Sequence, residues 1–249
     1  EIVVVNDGST DGSGELAHAY ARRIGRRLRV IDQPNQGLPA ARNTAICAAR
    51  GAYFALLDAD DVWLPQHLQR AMDAFEADPD LGLVHSNIRR IDSQGRDLGV
   101  PNRLWRRGMD AFDSIALRRE HVACPTAVFS RFAVETVGGF DPQFTGLGCE
   151  DRDLWLRIAE RFRVRYLDEV TACYRILPGS MSRNRSRMAA ARRRLRCRPR
   201  WAGFASWDFW AREDSGLCIW PSTPSWADRS RSRFPDSTLW LSRNWWSGS

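Results

Sequence analysis

The first third of the chain alternates short apolar runs with turn residues and amphipathic stretches. The apolar runs lie at residues 1–5, 28–32, 53–57 and 81–86. Continuous apolar runs of this length, rich in β-branched residues, are typical of strands buried on both faces of a parallel sheet. The intervening segments predict helices at residues 15–24, 40–50 and 65–75. In the last of these, Leu68, Met72 and Phe75 share one helical face.

This alternation of strand and helix with short connections predicts an α/β fold with a mostly parallel central sheet and helices on both faces. Beyond Asn87 the pattern is looser. It still predicts a strand at 124–131, a helix at 151–162 and a strand at 164–176.

The pattern ends near Met188. Eight of the eleven Trp residues lie beyond it among Arg, Ser and Pro, with neither a helical nor a strand period. The predicted organisation is a domain at 1–187 and an Arg/Trp/Ser-rich tail at 188–249. Two interpretations of the tail stay open: an aromatic docking segment, or a disordered segment translated from the wrong reading frame, which we favour.

The net charge of +7 is unevenly distributed along the chain. Residues 1–188 carry 26 Arg and 25 acidic residues, whereas residues 189–249 carry 11 Arg and 5 acidic residues. Because the main domain is nearly neutral, the basic composition does not indicate a nucleic-acid-binding protein.

The six Cys residues form no C-x-x-C pair and have no His partner at metal-binding spacing. We interpret them as reduced thiols of a cytoplasmic protein. No apolar run approaches the roughly 18 residues that a membrane span requires. We therefore expect a location in the cytoplasm or at the inner face of the membrane, with at most peripheral membrane association.

Two polar clusters follow predicted strands, where open parallel sheets bind ligands. The first contains Asp7 and Gly8, and the second contains Asp58, Asp60 and Asp61. Three close carboxylates repel one another, and Mg²⁺ or Mn²⁺ commonly binds one or two carboxylates together with substrate phosphates. The alternative is a solvated turn in which Asp61 caps the next helix.

Arg42 lies on the second predicted helix, and Glu150 and Asp151 begin a later one. A helix dipole favours carboxylates at its N-terminus, which is sufficient as a structural explanation of this pair. The functional interpretation is a general base at the rim of a pocket.

Five motifs, in order along residues 1–186, resemble the family-2 glycosyltransferases, an inverting group with the GT-A fold. The motifs are EIVVVNDGSTDGS, NQGLPAARN, LLDADDVWLP, VGGFDPQF and GCEDRDLWLRIA. The resemblance implies a nucleotide-binding role for Asp7 and Gly8 and a place for Arg42 in the same pocket. It also implies that Asp58 and Asp60 are the D-x-D pair, with Asp60 as the closer metal ligand and Asp58 nearer the ribose or sugar.

The same resemblance assigns the catalytic base to Asp151, with Glu150 beside it. It divides the domain into a nucleotide-sugar-binding half at 1–86 and an acceptor-binding half at 87–187. It further implies that the chain lacks an N-terminal strand and helix of the family. Since the Q-x-x-R-W motif is absent, a non-processive enzyme is expected.

The expected reaction is transfer of a sugar from a nucleoside-diphosphate sugar, with a UDP-sugar as the first choice, to a hydroxyl of a saccharide or lipid-linked acceptor. The expected cofactor is a divalent cation, Mn²⁺ or Mg²⁺, and the expected context is bacterial cell-surface polysaccharide or glycolipid biosynthesis. The alternatives are a catalytically inactive nucleotide-binding fragment and a sugar-phosphate nucleotidyltransferase.

Overall fold

The computed structural model describes residues 1–101, 111–116, 122–178 and 185–196. Within these ranges the strands are β1 (Ile2–Asp7), β2 (Leu28–Gln33), β3 (Tyr53–Ala55), β4 (Val62–Trp63), β5 (Leu81–Ile91), β6 (Val128–Ser130) and β7 (Arg163–Arg175). The helices are α1 (Ser13–Ile24), α2 (Leu38–Ala48), α3 (His67–Ala77), α4 (Ala111–Ala116), α5 (Arg131–Val137), α6 (Glu150–Ala159) and α7 (Arg185–Arg196).

The strands form two sheets. β1 pairs with β2 in parallel, and a five-stranded sheet has the order β3-β6-β5-β7-β4. The predicted α/β architecture is confirmed, but the mostly parallel pairing expected for the central sheet is not, because one of the four strand pairs in the five-stranded sheet is parallel. β5 and β7 are parallel, whereas β3–β6, β5–β6 and β4–β7 are antiparallel. Apolar periodicity identifies a strand but carries no information about the direction of its neighbours.

Helices cover both faces of the five-stranded sheet. Successive residues of β5 point to opposite sides of the sheet, so both faces present apolar side chains on which a helix packs. Leu83 belongs to a core with Phe129 of β6 and Trp155 of α6. Val84 belongs to a second core with Phe75 of α3. These side chains are almost fully buried, so the sheet is fixed between α6 on one face and α3 on the other.

Several elements differ from the sequence-based prediction. β4, α4 and α5 are too short for a reliable period and were not predicted. α7 crosses the predicted boundary at residue 187, with Ala191 buried and the Arg194 guanidinium 5.8 Å from the centre of the Phe144 ring. Regular structure therefore continues to Arg196, and the rest of the predicted tail lies outside the described residues.

The interpretation of the cysteines needs one correction. Cys124 and Cys173 are thiols, as expected, but Cys47 of α2 is disulfide-bonded. The spacing of cysteines along a sequence does not reveal which of them come together in space. None of the helices in the described part of the chain is long and apolar enough to cross a bilayer.

Candidate active site

The acidic turn follows β3 and carries three of the predicted site carboxylates. The Asp61 N–H donates to the Asp58 carbonyl oxygen at 3.0 Å, which closes the turn. Asp58 is half-buried and Asp60 is exposed. The turn therefore presents the Asp60 carboxylate to solvent and directs Asp58 towards the protein.

Arg42 is the centre of the site. Its Nη2 donates to Asp58 Oδ1 at 2.8 Å, and its Nη1 donates to Glu150 Oε1 at 2.9 Å. Burial alone would lower the pKa of Arg42, but the acidic groups of Cys124, Asp58 and Glu150 raise it well above its usual value. One buried, permanently charged guanidinium thus joins the acidic turn to the start of α6.

The segment that contains Gly139 and Phe140 packs against this arginine. The Arg42 guanidinium lies 5.3 Å from the centre of the Phe140 ring, within the range of a cation–π contact. Next to Arg42, the side chain of Asn43 bonds both main-chain groups of Phe140, at 2.7 and 2.8 Å. A Cβ at Gly139 would lie 2.4 Å from Asn43 Oδ1, so this approach requires glycine.

Glu150 and Asp151 occupy the first turn of α6, as the sequence predicted, but their surroundings differ. Glu150 is only 6% exposed and is held by Arg42, whereas Asp151 is half-buried. Burial and the neighbouring Asp151 raise the pKa of Glu150 to about 6. Burial also raises the pKa of Asp151, whose Oδ1 accepts from the Arg152 N–H at 2.6 Å. Asp151 is the more accessible proton acceptor.

The chain enters α6 through a tight, glycine-rich loop. Gly146, Gly148 and Cys149 all have positive φ, and Cys149 is the one described non-glycine residue in that region, with φ of 68°. A non-glycine residue in this conformation is uncommon and costs about 1 kcal/mol or more. The strained residue directly precedes Glu150, so it sets the direction in which the two carboxylates leave the loop.

Asp7 lies at the end of β1 and binds the loop that leads into α2. Its Oδ1 accepts from Gln33 Nε2 at 2.8 Å and from the Gln36 N–H at 2.9 Å, and its Oδ2 accepts from the Gly37 N–H at 2.8 Å. Asp7 therefore anchors the N-terminal end of the helix that carries Arg42. Gly8 has φ of +73°, and a Cβ there would lie 2.9 Å from the Asn35 amide nitrogen.

The structure thus brings Asp58, Arg42 and Glu150 into direct contact. Asp151 follows Glu150 directly, and Asp60 lies two residues after Asp58. Asp7 is connected to this group indirectly, because it binds Gly37 at the start of α2, the helix that carries Arg42.

One sequence-based prediction was wrong. Asp61 does not cap α3, because that helix begins at His67 after Gln66 and has no side-chain cap. Asp61 is instead buried, and its Oδ1 accepts from the Arg175 N–H at 2.8 Å. Burial raises the pKa of Asp61 to about 7, against the lowering effect of that N–H.

Two contributors to the site were missed, namely Arg175 and the Asn43–Phe140 contact. Their partners lie far away in the sequence: Asn43 and Phe140 are 97 residues apart, and Arg175 and Asp61 are 114 apart. No local pattern signals such a pair. The available signal was that Asn43 and Phe140 each lie inside a quoted motif, whereas Arg175 lies in none of them.

The protein supplies only part of the oxygen ligands that a hard divalent cation needs. Asp58 and Asp60 offer carboxylate oxygens, which Mg²⁺ and Mn²⁺ prefer. Among the described residues, no group of three or more His, Cys, Asp or Glu side chains could hold a metal ion. A cation bound here would complete its coordination with oxygen atoms of a substrate and water.

Comparison with known proteins identifies the family. The protein-family model described as "Glycosyl transferase family 2" matches residues 1–138, which is more than half of the chain. This chain belongs to glycosyl transferase family 2. The family domain contains Asp7, Arg42, Asp58 and Asp60, whereas Glu150 and Asp151 follow the matched segment.

Curated relatives include an uncharacterized glycosyltransferase of Nostoc sp., which is 32% identical over 146 residues, covering 57% of this chain and 45% of the relative. Another is the chondroitin synthase of Escherichia coli, 29% identical over 181 residues, covering 72% of this chain and 25% of the relative. The chain therefore spans less than half the length of these relatives.

Solved structures show the same GT-A fold. S. aureus TarS 1-349 in complex with UDP-GlcNAc has a TM-score of 0.58 and 20% identity, covering 74% of this chain and 52% of that one. The mannosyltransferase PcManGT from Pyrobaculum calidifontis, in complex with GDP-Man and Mn²⁺, has a TM-score of 0.53 and 23% identity, covering 73% of this chain and 49% of that one. At this level of identity the likeness concerns the fold.

Proposed function

We propose that this family-2 domain belongs to a non-processive, inverting glycosyltransferase that moves a sugar from a nucleoside-diphosphate sugar to an acceptor hydroxyl. The observation that carries the proposal is the buried bridge from Asp58 through Arg42 to Glu150. This bridge joins the acidic turn to the first turn of α6, where Asp151 follows Glu150, and so supports one site for a cation and a general base. A transferase of this kind needs both groups near one sugar.

The donor is proposed to bind across Asp7 and the acidic turn. Three of the roughly four lone-pair positions of the Asp7 carboxylate are used by Gln33, Gln36 and Gly37. One position on Oδ2 is left for an N–H of a base. A UDP-sugar is the first choice, because TarS structures carry UDP or UDP-GlcNAc, and GDP-mannose in PcManGT provides the second.

Asp60 and Asp58 would hold a divalent cation, Mn²⁺ or Mg²⁺, with Asp60 as the more exposed ligand. Such a cation supplies Lewis-acid stabilisation of the negative charge on a leaving diphosphate. The protein contributes the fixed position of Asp58, because Arg42 occupies one of its oxygens and leaves the other lone pairs available.

Asp151 is proposed as the general base that removes the proton of the acceptor hydroxyl. It is half-buried and accepts from the adjacent Arg152 N–H, whereas Glu150 is committed to Arg42. The raised pKa of Asp151, caused mainly by burial, strengthens it as a base. Attack opposite the leaving diphosphate in a single displacement would invert the anomeric centre.

The acceptor is proposed to be a saccharide or lipid-linked hydroxyl of cell-surface polysaccharide or glycolipid biosynthesis. The acceptor-binding half at 87–187 includes segments outside the described residues. The location in the cytoplasm or at the inner membrane face, with at most peripheral membrane association, stays a prediction.

The test separates donor binding from chemistry. In calorimetry, Asp60→Asn should abolish Mn²⁺-dependent binding of UDP or GDP, whereas the exposed control Asp80→Asn should bind as the wild type does. Asp151→Asn should bind the nucleotide normally but transfer sugar at least about 10²-fold more slowly. Unchanged nucleotide binding by Asp60→Asn would refute the cation role, and near-normal turnover by Asp151→Asn would remove it as the base.

A further inference from the structure

The acidic turn is fastened to the far end of β7, at a residue outside the proposed catalytic group. Arg175 is the last residue of this strand, and it contacts the turn through both its main chain and its side chain. Its N–H donates to Asp61 Oδ1 at 2.8 Å, and its Nε donates to the Asp60 carbonyl oxygen at 2.7 Å. Two consecutive residues of the turn are therefore held by one arginine.

The same guanidinium reaches a third segment. Its Nη1 donates to the carbonyl oxygens of Asp92 and Ser93, at 3.0 and 3.4 Å, in the turn after β5. The next residue, Ile176, donates its N–H to the Ile91 carbonyl oxygen at 2.8 Å. Arg175 thus links the acidic turn of the donor-binding half to the beginning of the acceptor-binding half.

Asp61 is the turn's own anchor in this arrangement. Its side chain is buried, and its Oδ2 has no hydrogen-bond partner among the described residues. A buried polar atom without a hydrogen bond lowers the stability of the folded state. A carboxylate that served only to end the turn would not need to be buried in this way. Immediately after it, Val62 and Trp63 pair with Cys173 and Ala172 of β7, which continues the attachment.

From these contacts we propose that Arg175 and Asp61 are positioning residues that hold the acidic turn in the conformation needed to present Asp60 to a cation–diphosphate group. The inference rests on the proposed function. Neither residue is assigned to the reacting atoms: Asp61 accepts from the Arg175 N–H, and Arg175 grips the main chain of Asp60. Their effect on the cation is exerted through the position of the turn.

The Arg175 variant distinguishes geometry from charge. Lysine keeps the positive charge, but a single ammonium cannot reproduce the fork that spans Asp60 and Asp92. Arg175→Lys in the full chain should therefore weaken Mn²⁺-dependent binding of UDP or GDP by about tenfold or more, the usual effect of losing a residue that orients a metal ligand. The control Arg165→Lys, on the same strand but paired with Asp78, should bind as the wild type does.

The Asp61 variants distinguish anchoring from metal ligation. Asp61→Asn keeps an oxygen that accepts from the Arg175 N–H, so cation-dependent nucleotide binding should stay within about twofold of wild type. Asp61→Ala removes the acceptor and should weaken this binding like Arg175→Lys. Nucleotide binding is measured by calorimetry at several Mn²⁺ concentrations, with the melting temperature recorded for each variant.

The outcomes distinguish failure of the proposed function from failure of the positioning role of Arg175 and Asp61. If the wild type shows no cation-dependent binding of either nucleotide, the proposed function fails, and this inference fails with it. If the wild type binds and Arg175→Lys binds equally well, the positioning role alone is overturned. Loss of binding in Asp61→Asn as complete as in Asp61→Ala would also overturn it, because that pattern belongs to a direct ligand.

Discussion

Replacing Arg42 by methionine should destabilise the fold in a pH-dependent way. The guanidinium donates to Asp58 at 2.8 Å and to Glu150 at 2.9 Å, and its side chain is only 8% exposed. At an effective dielectric constant of 20, each contact corresponds to about 6 kcal/mol of Coulomb attraction. Desolvation offsets much of this, and removing one partner of a buried pair costs about 3–5 kcal/mol.

We take the lower end of that range, about 3 kcal/mol, because Asp58 is 30% exposed and water can screen it after the substitution. For a chain of this size, that loss lowers the melting temperature by roughly 6–12 °C. Thermal unfolding followed by circular dichroism at pH 8 measures it.

The pH dependence follows from Glu150, whose pKa is raised from 4.5 to about 6 in the folded protein. A carboxyl with a raised folded-state pKa binds its proton more tightly when folded, so its contribution to stability falls as pH rises through that value. Without Arg42 the pKa of Glu150 should rise further. The deficit of Arg42→Met should therefore be larger at pH 8 than at pH 5, where Glu150 is largely protonated.

Arg157→Met provides a matched control. Arg157 is also buried and pairs with Asp153 at 2.9 Å, but it supports the carbonyl oxygens of Val137 and Gly139 rather than the acidic turn. It should lower stability by a comparable amount, and its deficit should lack the pH dependence that Glu150 gives to Arg42→Met. If Arg42→Met melts like the wild type at pH 8, the electrostatic account of this bridge is refuted.

Two further predictions concern stability away from the site. His67 is buried, and its pKa is lowered by burial from 6.5 to about 4, so the unfolded chain binds the proton first and stability is lost as pH falls from about 6.5 towards 4. Because Asp61 and Glu150 titrate in the opposite direction, the contribution of His67 is the difference between the wild type and His67→Asn, which can keep the bond to Thr171. In denaturant titrations between pH 7 and pH 5, the wild type should lose about 2 kcal/mol of stability relative to this variant; parallel pH profiles would contradict it. A chain ending at Met188 should melt a few degrees below one ending at Arg196, because it lacks buried Ala191 and the Arg194–Phe144 contact; equal melting temperatures would show that α7 does not stabilise the domain.

Local pattern was sufficient for most elements of the fold. Amphipathic spacing located α3, and continuous apolar runs located β1, β2, β3 and β5, with bounds that differ by a few residues. The predicted strand at 81–86 continues to Ile91, because its pairing with β7 extends to Arg175. Strand direction, the short strand β4 and the short helices depend on pairing and packing, which periodicity does not record.

The candidate site shows the same division between residue type and environment. Glu150 and Asp151 are adjacent acids at a helix start, and sequence offers no reason why one is held by Arg42 while the other stays accessible. Asp61 has the composition of a helix cap but is buried and bound by Arg175. Burial and long-range partners decided each of these cases.

The sequence by itself determined the class of fold, the family and the identity of the charged residues that gather at the strand ends. Those features depend on local spacing and on motifs, which are written in order along the chain. Only the tertiary structure decided how the charges are used: Arg42 bridges two acids 92 residues apart in the sequence, and Arg175 fastens the acidic turn from a distant strand. The physical reason is that the strength of a charge depends on its burial and its partners, and both exist only after the chain has folded.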